Sequence, residues 1–150
     1  MQNLRNMKAI TYIGLLLSCS LLFSNPMNAQ TIPSMEEVQY FFNNQNILIT
    51  YREGEVIYGT YYFIEIHYCP GGQYGLYGNS VKQTVLGNEQ RGNWQEFGTW
   101  KVTAQDGAVG IYYVTTEGVQ QFVPIYKLSN GDLFVREGVT IVKQGQAICN

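Results

Sequence analysis

The chain has little of what catalytic and nucleic-acid-binding proteins usually display. His67 is the only histidine in 150 residues. No zinc pattern, Gly-rich phosphate loop or Ser-centred nucleophile elbow occurs, and no C-x-x-C redox motif. Charged residues make up 13% of the chain, and its nine Lys and Arg never cluster. That argues against nucleic acid and against an anionic membrane surface as partners. Beyond residue 30 no apolar run is long enough to span a bilayer. No motif in the sequence asks for a cofactor or a metal.

The first 29 residues read as an export signal and are set apart from the fold. Arg5 and Lys8 precede an apolar run from Ala9 to Phe23, and no acid appears before Glu36. About 15 apolar residues is short for a membrane span and right for a secretory h-region. Pro26 breaks the run, and Ala29 supplies the small residue a signal peptidase needs. The alternative is a lipobox at Leu16-Leu17-Ser18-Cys19, with Cys19 lipidated, although Leu21, Leu22 and Phe23 continue the apolar run past it. The expected location is therefore outside the cytoplasm: periplasmic, extracellular, or anchored as a lipoprotein.

Residues 30–150 are one domain by size, large enough for a single core. Eleven acids against seven Lys and Arg leave this part mildly acidic. It keeps two cysteines, Cys69 and Cys149. An even count in an oxidising compartment favours a disulfide between them, with two buried free thiols as the alternative.

Ser34 followed by Glu37, with Val38, Phe41 and Phe42 at helical spacing, predicts a capping box and one short N-terminal helix. Then the period changes to that of strands. Ile47 to Tyr51 and Val56 to Cys69 are rich in β-branched and aromatic residues. Asp106-Gly107, Glu117-Gly118, Asn130-Gly131 and Glu137-Gly138 punctuate the remainder as turns, and Pro124 predicts an edge or a bulge. The expected class is all-β, a small antiparallel meander barrel. One stretch, from Gly78 to Gly98, lacks any clear period, and its residues 79–97 read as a long loop carrying Trp94 and Phe97. Such a loop is either a lid or docking surface, with its rings exposed, or a plug, with its rings buried; the plug is the favoured role for Trp94.

An apolar strand, the turn Gly71-Gly72-Gln73-Tyr74, then Gly98-Thr99-Trp100-Lys101-Val102 and strands joined by glycine turns resemble the small bacterial lipocalin-like exported proteins. The resemblance covers residues 60–143. It implies a small barrel with an apolar pocket, and it brings no catalytic residue.

On the strand before the Pro-Gly-Gly turn, alternation puts Tyr62, Ile64, Ile66 and Tyr68 on a core face and Tyr61, Phe63, Glu65, His67 and Cys69 on the other. Glu65, His67 and Cys69 are the residue types of a nucleophilic or metal site. Neighbours two apart on a strand stand about 6.5–7 Å apart, however, where a nucleophile and its base need about 3 Å. A mixed outer face with Cys69 in a disulfide is the simpler reading. Of the other carboxylates, Glu36 and Glu37 belong to the capping region, and the rest lie in or beside turns or, as Glu89 and Glu96, in the aperiodic stretch, where nothing places them against a partner. What remains is an aromatic excess: Tyr74, Tyr77, Trp94, Phe97 and Trp100. Such surfaces bind apolar ligands, sugars or proteins. The sequence thus points to an exported binding module, for a small apolar molecule or a protein partner, rather than to an enzyme.

Overall fold

Ser34 starts the helix α1 (Met35–Phe42) as its pattern predicts, in a computed structural model that describes residues 30–55, 58–83 and 87–149. The candidate signal segment and Cys19 lie outside the described residues. Ser34 Oγ accepts from the Glu37 N–H at 3.1 Å, and Glu37 Oε2 accepts from the Ser34 N–H at 2.8 Å. Two otherwise orphaned N–H groups are satisfied reciprocally. Val38 and Phe42, one turn apart, are buried, while Tyr40 faces solvent.

Nine strands are described: β1 (Gln45–Glu53), β2 (Thr60–Tyr68), β3 (Gln73–Gln83), β4 (Glu89–Gln105), β5 (Ala108–Thr115), β6 (Gln120–Pro124), β7 (Tyr126–Lys127), β8 (Leu133–Phe134) and β9 (Thr140–Gln146). Strands β1 to β6 pair in sequence order, and β9 returns to pair with β1. All pairings are antiparallel. The β4–β5 hairpin turns at Asp106 (φ 50°) and Gly107 (φ 79°). Two consecutive positive φ values are what a two-residue turn matching strand twist requires.

The result is an all-β fold with one short helix, but the sheet is open. Its edge strands β6 and β9 share no ladder among the described residues. Pro124, which has no N–H to donate, ends edge strand β6. The chain then leaves the sheet for the small β7–β8 ladder, where Thr31 and Lys127 exchange two backbone hydrogen bonds of 2.9 Å.

The stretch expected to be a long aromatic loop is a hairpin instead. Residues up to Gln83 complete β3, and β4 begins at Glu89, paired from Gln83↔Glu89 to Gln73↔Thr99. Gly78, Ser80 and Gly92 explain why no period was visible. They sit where a strand signal needs large apolar residues, so the alternation fades.

Helix α1 covers one face of the sheet, the inner one. Phe42 meets Tyr68 edge to face at 5.0 Å, and Tyr68 meets Trp100 in the same way at 5.0 Å. Ile47, Ile66, Ile111 and Ile125 complete this layer. As the alternation predicts, Ile64, Ile66 and Tyr68 of β2 all join the core. The Tyr68 and Tyr113 hydroxyls are hydrogen-bonded to each other. Burial, the nearby Tyr113 and that hydrogen bond push the Tyr68 phenol well above its ordinary range.

Candidate functional site

The five aromatic candidates do not form one cluster. Tyr74 and Trp100 belong to the core. Trp100 donates its indole N–H to the Cys69 carbonyl at 3.1 Å, and the Tyr74 hydroxyl donates to Glu96 Oε1 at 2.5 Å. Desolvation and that carboxylate push the Tyr74 phenol upward. Trp94 also lies on the inner face, beyond the helix, edge-on to Tyr62 and 39% exposed. It is neither a buried plug nor the tip of a free loop. Only Tyr77 and Phe97 stand together on the outer face, with ring centroids 5.8 Å apart and planes at 85°.

Register explains what these two rings surround. His67, Gly75 and Phe97 are cross-strand neighbours in one row of the outer face. The glycine leaves a side chain missing between two rings whose strands lie about 10 Å apart. A β-carbon built on Gly75 would stand 3.3 Å from Phe97 Cε1 and 3.6 Å from Tyr77 Cε2. The space above it belongs to an open cavity of about 480 Å³, bordered by His67, Tyr77, Phe97, Thr99, Ile148 and the disulfide. That volume falls within the range of small-molecule sites, roughly 300–1,000 Å³.

Other strand glycines have a visible reason for lacking a side chain. A β-carbon on Gly78 would fall 2.0 Å from the Trp94 ring, and one on Gly98 would fall 2.1 Å from the Val114 carbonyl. Gly110 is equally tight, at 2.2 Å from the Val123 carbonyl. Glycine weakens a strand interior, and it is found where backbone, ring or ligand must come close. At Gly75 the contact is looser: the nearest atom, Phe97 Cε1 at 3.3 Å, is close but belongs to a partly exposed ring rather than to backbone. Its φ is not among the positive values either, so backbone geometry does not demand glycine.

Of Glu65, His67 and Cys69, the first two come together, closer than strand spacing alone allows. His67 Nε2 lies 3.4 Å from Glu65 Oε1, and Glu65 Oε1 also accepts from Asn46 Nδ2 at 2.6 Å. Cys69, however, is joined to Cys149 across a sequence separation of 80 residues. The sulfur that would serve as nucleophile is in that bond. His67 Nδ1 accepts the Ile148 N–H at 3.1 Å, so the ring proton sits on Nε2, towards Glu65. With 6% of its surface exposed, His67 acts as a spacer between sheet and tail. No group of three or more metal-ligating side chains occurs among the described residues.

Gly75 and Ile148 were not singled out from the sequence. A glycine at an inward or outward position of a long strand is a signal that pattern reading can use, but only once the strand is recognised. Ile148 had no such signal. Compared with protein-family models, curated proteins and solved structures, the chain matches none.

Proposed function

We propose that this protein is an exported, non-enzymatic binding module that holds a small, flat, apolar ligand over Gly75 on the outer face of its sheet. The observation that carries this reading is the open cavity of about 480 Å³ beside Gly75, bordered by His67, Tyr77 and Phe97. There the glycine projects no side chain of its own, and the Phe97 and Tyr77 rings close to 3.3–3.6 Å of its β-carbon position. The inner face offers less, because α1 and the large side chains of Tyr68, Phe42, Ile47 and Ile111 occupy it. The lipocalin-like resemblance is part of the same proposal, with the binding surface moved from the interior to the outside of an opened meander. Oxidation of Cys69 supports the non-enzymatic half, since it removes the thiolate from the Glu65–His67 pair. Export, to the periplasm or beyond or as a lipoprotein, rests on residues 1–29.

The test uses N-phenylnaphthylamine, an uncharged aromatic dye that brightens in apolar surroundings. Wild-type protein is expected to bind it, and Gly75→Val to lose it while folding normally. Valine suits a strand, and the exposed Phe97 ring can give the few tenths of an ångström needed. Dye uptake unchanged by Gly75→Val would overturn the slot. A second reading is favoured by Phe63, which is as exposed as Tyr77 and Phe97 (41–42%) and lies outside the cavity. On that reading a protein partner covers the outer face. Native mass spectrometry of gently purified protein separates the two, because a small ligand adds hundreds of daltons and a protein adds thousands.

A further inference from the structure

The last residues of the chain are not a loose end. After a register shift in the β1–β9 ladder near Asn46, the chain crosses to β2 and is pinned there by Cys149. Ala147 donates its N–H to the Asn44 carbonyl at 3.2 Å, and Ile148 donates to His67 Nδ1 at 3.1 Å. Ile148 and Cys149 then form one side of the cavity over Gly75. Ile148 is 73% exposed, an apolar side chain held at the lip of an apolar opening. A single exposed isoleucine is ordinary; what sets Ile148 apart is its place beside the disulfide at the edge of the cavity over Gly75.

We propose that this tail is a wall of the binding site, and that the Cys69–Cys149 bond keeps it there, so that the site is complete only in the oxidised chain. The proposal rests on the Gly75 reading above and adds its regulation. Besides the disulfide, two hydrogen bonds are seen to hold residues 147–149, one from the Ala147 N–H to the Asn44 carbonyl just before β1 and one from the Ile148 N–H to the His67 ring on β2. Two such bonds are weak payment against the freedom three terminal residues regain when released.

Opening is ordinary thiol–disulfide exchange. The thiolate of a dithiol reductant attacks the sulfur of Cys149, which is the exposed partner. A mixed disulfide forms on Cys149, and Cys69 leaves as a thiolate that takes up a proton. The second thiol of the reductant then closes on the first, releasing Cys149 as a thiol. Two electrons pass from the dithiol to the protein, and the dithiol becomes a cyclic disulfide. With the bridge cut, Ile148 and Cys149 leave the lip and the slot loses one side.

The experiment titrates N-phenylnaphthylamine against four samples: the oxidised chain, the chain reduced with dithiothreitol, the Cys69→Ser/Cys149→Ser double variant, and Ile148→Ala. The last keeps the bridge and removes only an exposed side chain, so its melting temperature is expected to match wild type. The oxidised chain should bind, the reduced and double-serine forms should bind roughly tenfold more weakly or worse, and Ile148→Ala should also weaken binding. Equal binding by the oxidised chain and Ile148→Ala would overturn the tail as a wall while leaving the Gly75 slot standing. Binding retained by a reduced chain that is still folded would overturn the redox dependence in the same way. No binding by the oxidised chain would remove the slot reading and this inference with it.

Discussion

The indole of Trp94 occupies the place where Gly78 would carry a side chain. The two face each other across the β3–β4 ladder, and a β-carbon on Gly78 would lie 2.0–2.6 Å from three atoms of the ring. Trp94 thereby reaches past β3 to Tyr62 on β2, which in turn stacks on Tyr51 of β1 at 4.6 Å. One glycine lets three aromatic rings run across the open end of the inner face.

Gly78→Ala is therefore expected to displace the indole and to cost about 1–3 kcal/mol, the usual range for forcing extra volume into a packed position. Trp94→Ala is expected to cost about 1–2 kcal/mol, less than a fully buried ring because 39% of its surface is already exposed. The two should not add. Once Trp94 is alanine, alanine at 78 has room and is a better strand residue than glycine, so the second change should be neutral or slightly stabilising. A double-mutant cycle by urea unfolding measures this, and additive losses would mean that the ring does not depend on the glycine.

The disulfide should matter to stability as well as to the slot. It closes a sequence separation of 80 residues, for which the chain-entropy treatment gives about 4.5 kcal/mol. Reduction under native conditions is expected to lower the melting temperature by well over ten degrees in a domain of this size. An unchanged melting temperature in dithiothreitol, with free thiols confirmed by alkylation, would show that the bridge contributes little to the fold.

Glu37 has two duties at the start of α1. It completes the capping box with Ser34 and meets Lys127 Nζ at 2.5 Å, tying the helix to β7. The hydrogen bond from Lys127, then the one from the Ser34 backbone, hold its carboxyl below the ordinary value of 4.5. Glu37→Gln keeps the cap and loses the ion pair, whereas Glu37→Ala loses the ion pair and the side-chain half of the capping box. The alanine variant is expected to be the less stable, because it also loses the half of the capping box in which Glu37 Oε2 accepts the Ser34 N–H. Equal melting temperatures for the two variants would assign the whole effect to Lys127.

How legible this molecule was depends on which residues carried period. The capping box, the glycine turns, the edge position of Pro124 and the core face of β2 follow from local chemistry that the sequence writes openly. The Cys69–Cys149 pairing followed from arithmetic on two cysteines. The β3–β4 hairpin was hidden because Gly78, Ser80 and Gly92 stand where apolar residues would have announced strands, and their partner, Trp94, compensates from the next strand. Pair terms of that kind are invisible until register is known. The same holds for the slot. Gly75 is informative only when His67 and Phe97 are seen beside it, and Ile148 only when the disulfide brings it back some eighty residues along the chain.

Alkaline pH should find the weak point of the core. Tyr68 is fully buried, and burial first, then Tyr113, raises its phenol well above the ordinary value of 10. Burial likewise raises Tyr113. In the unfolded chain these groups lose their protons near pH 10, whereas in the fold they keep them. Above pH 10 the folded state therefore binds more protons than the unfolded one, and stability falls as pH rises, towards the folded values. Below pH 10 both states are protonated, and this contribution is fully present. A fully buried tyrosine of this kind adds a slope of at most about 1.4 kcal/mol per pH unit. Urea midpoints measured from pH 8 to 11.5 should be flat in this respect up to about 10 and then drop. Tyr68→Phe, which removes the titrating hydroxyl but keeps the ring against Phe42 and Trp100, should start lower and decline less steeply. A variant whose decline parallels wild type would show that Tyr68 is not the group being titrated, and would shift the alkaline sensitivity to Tyr113 or to Tyr74 beside Glu96.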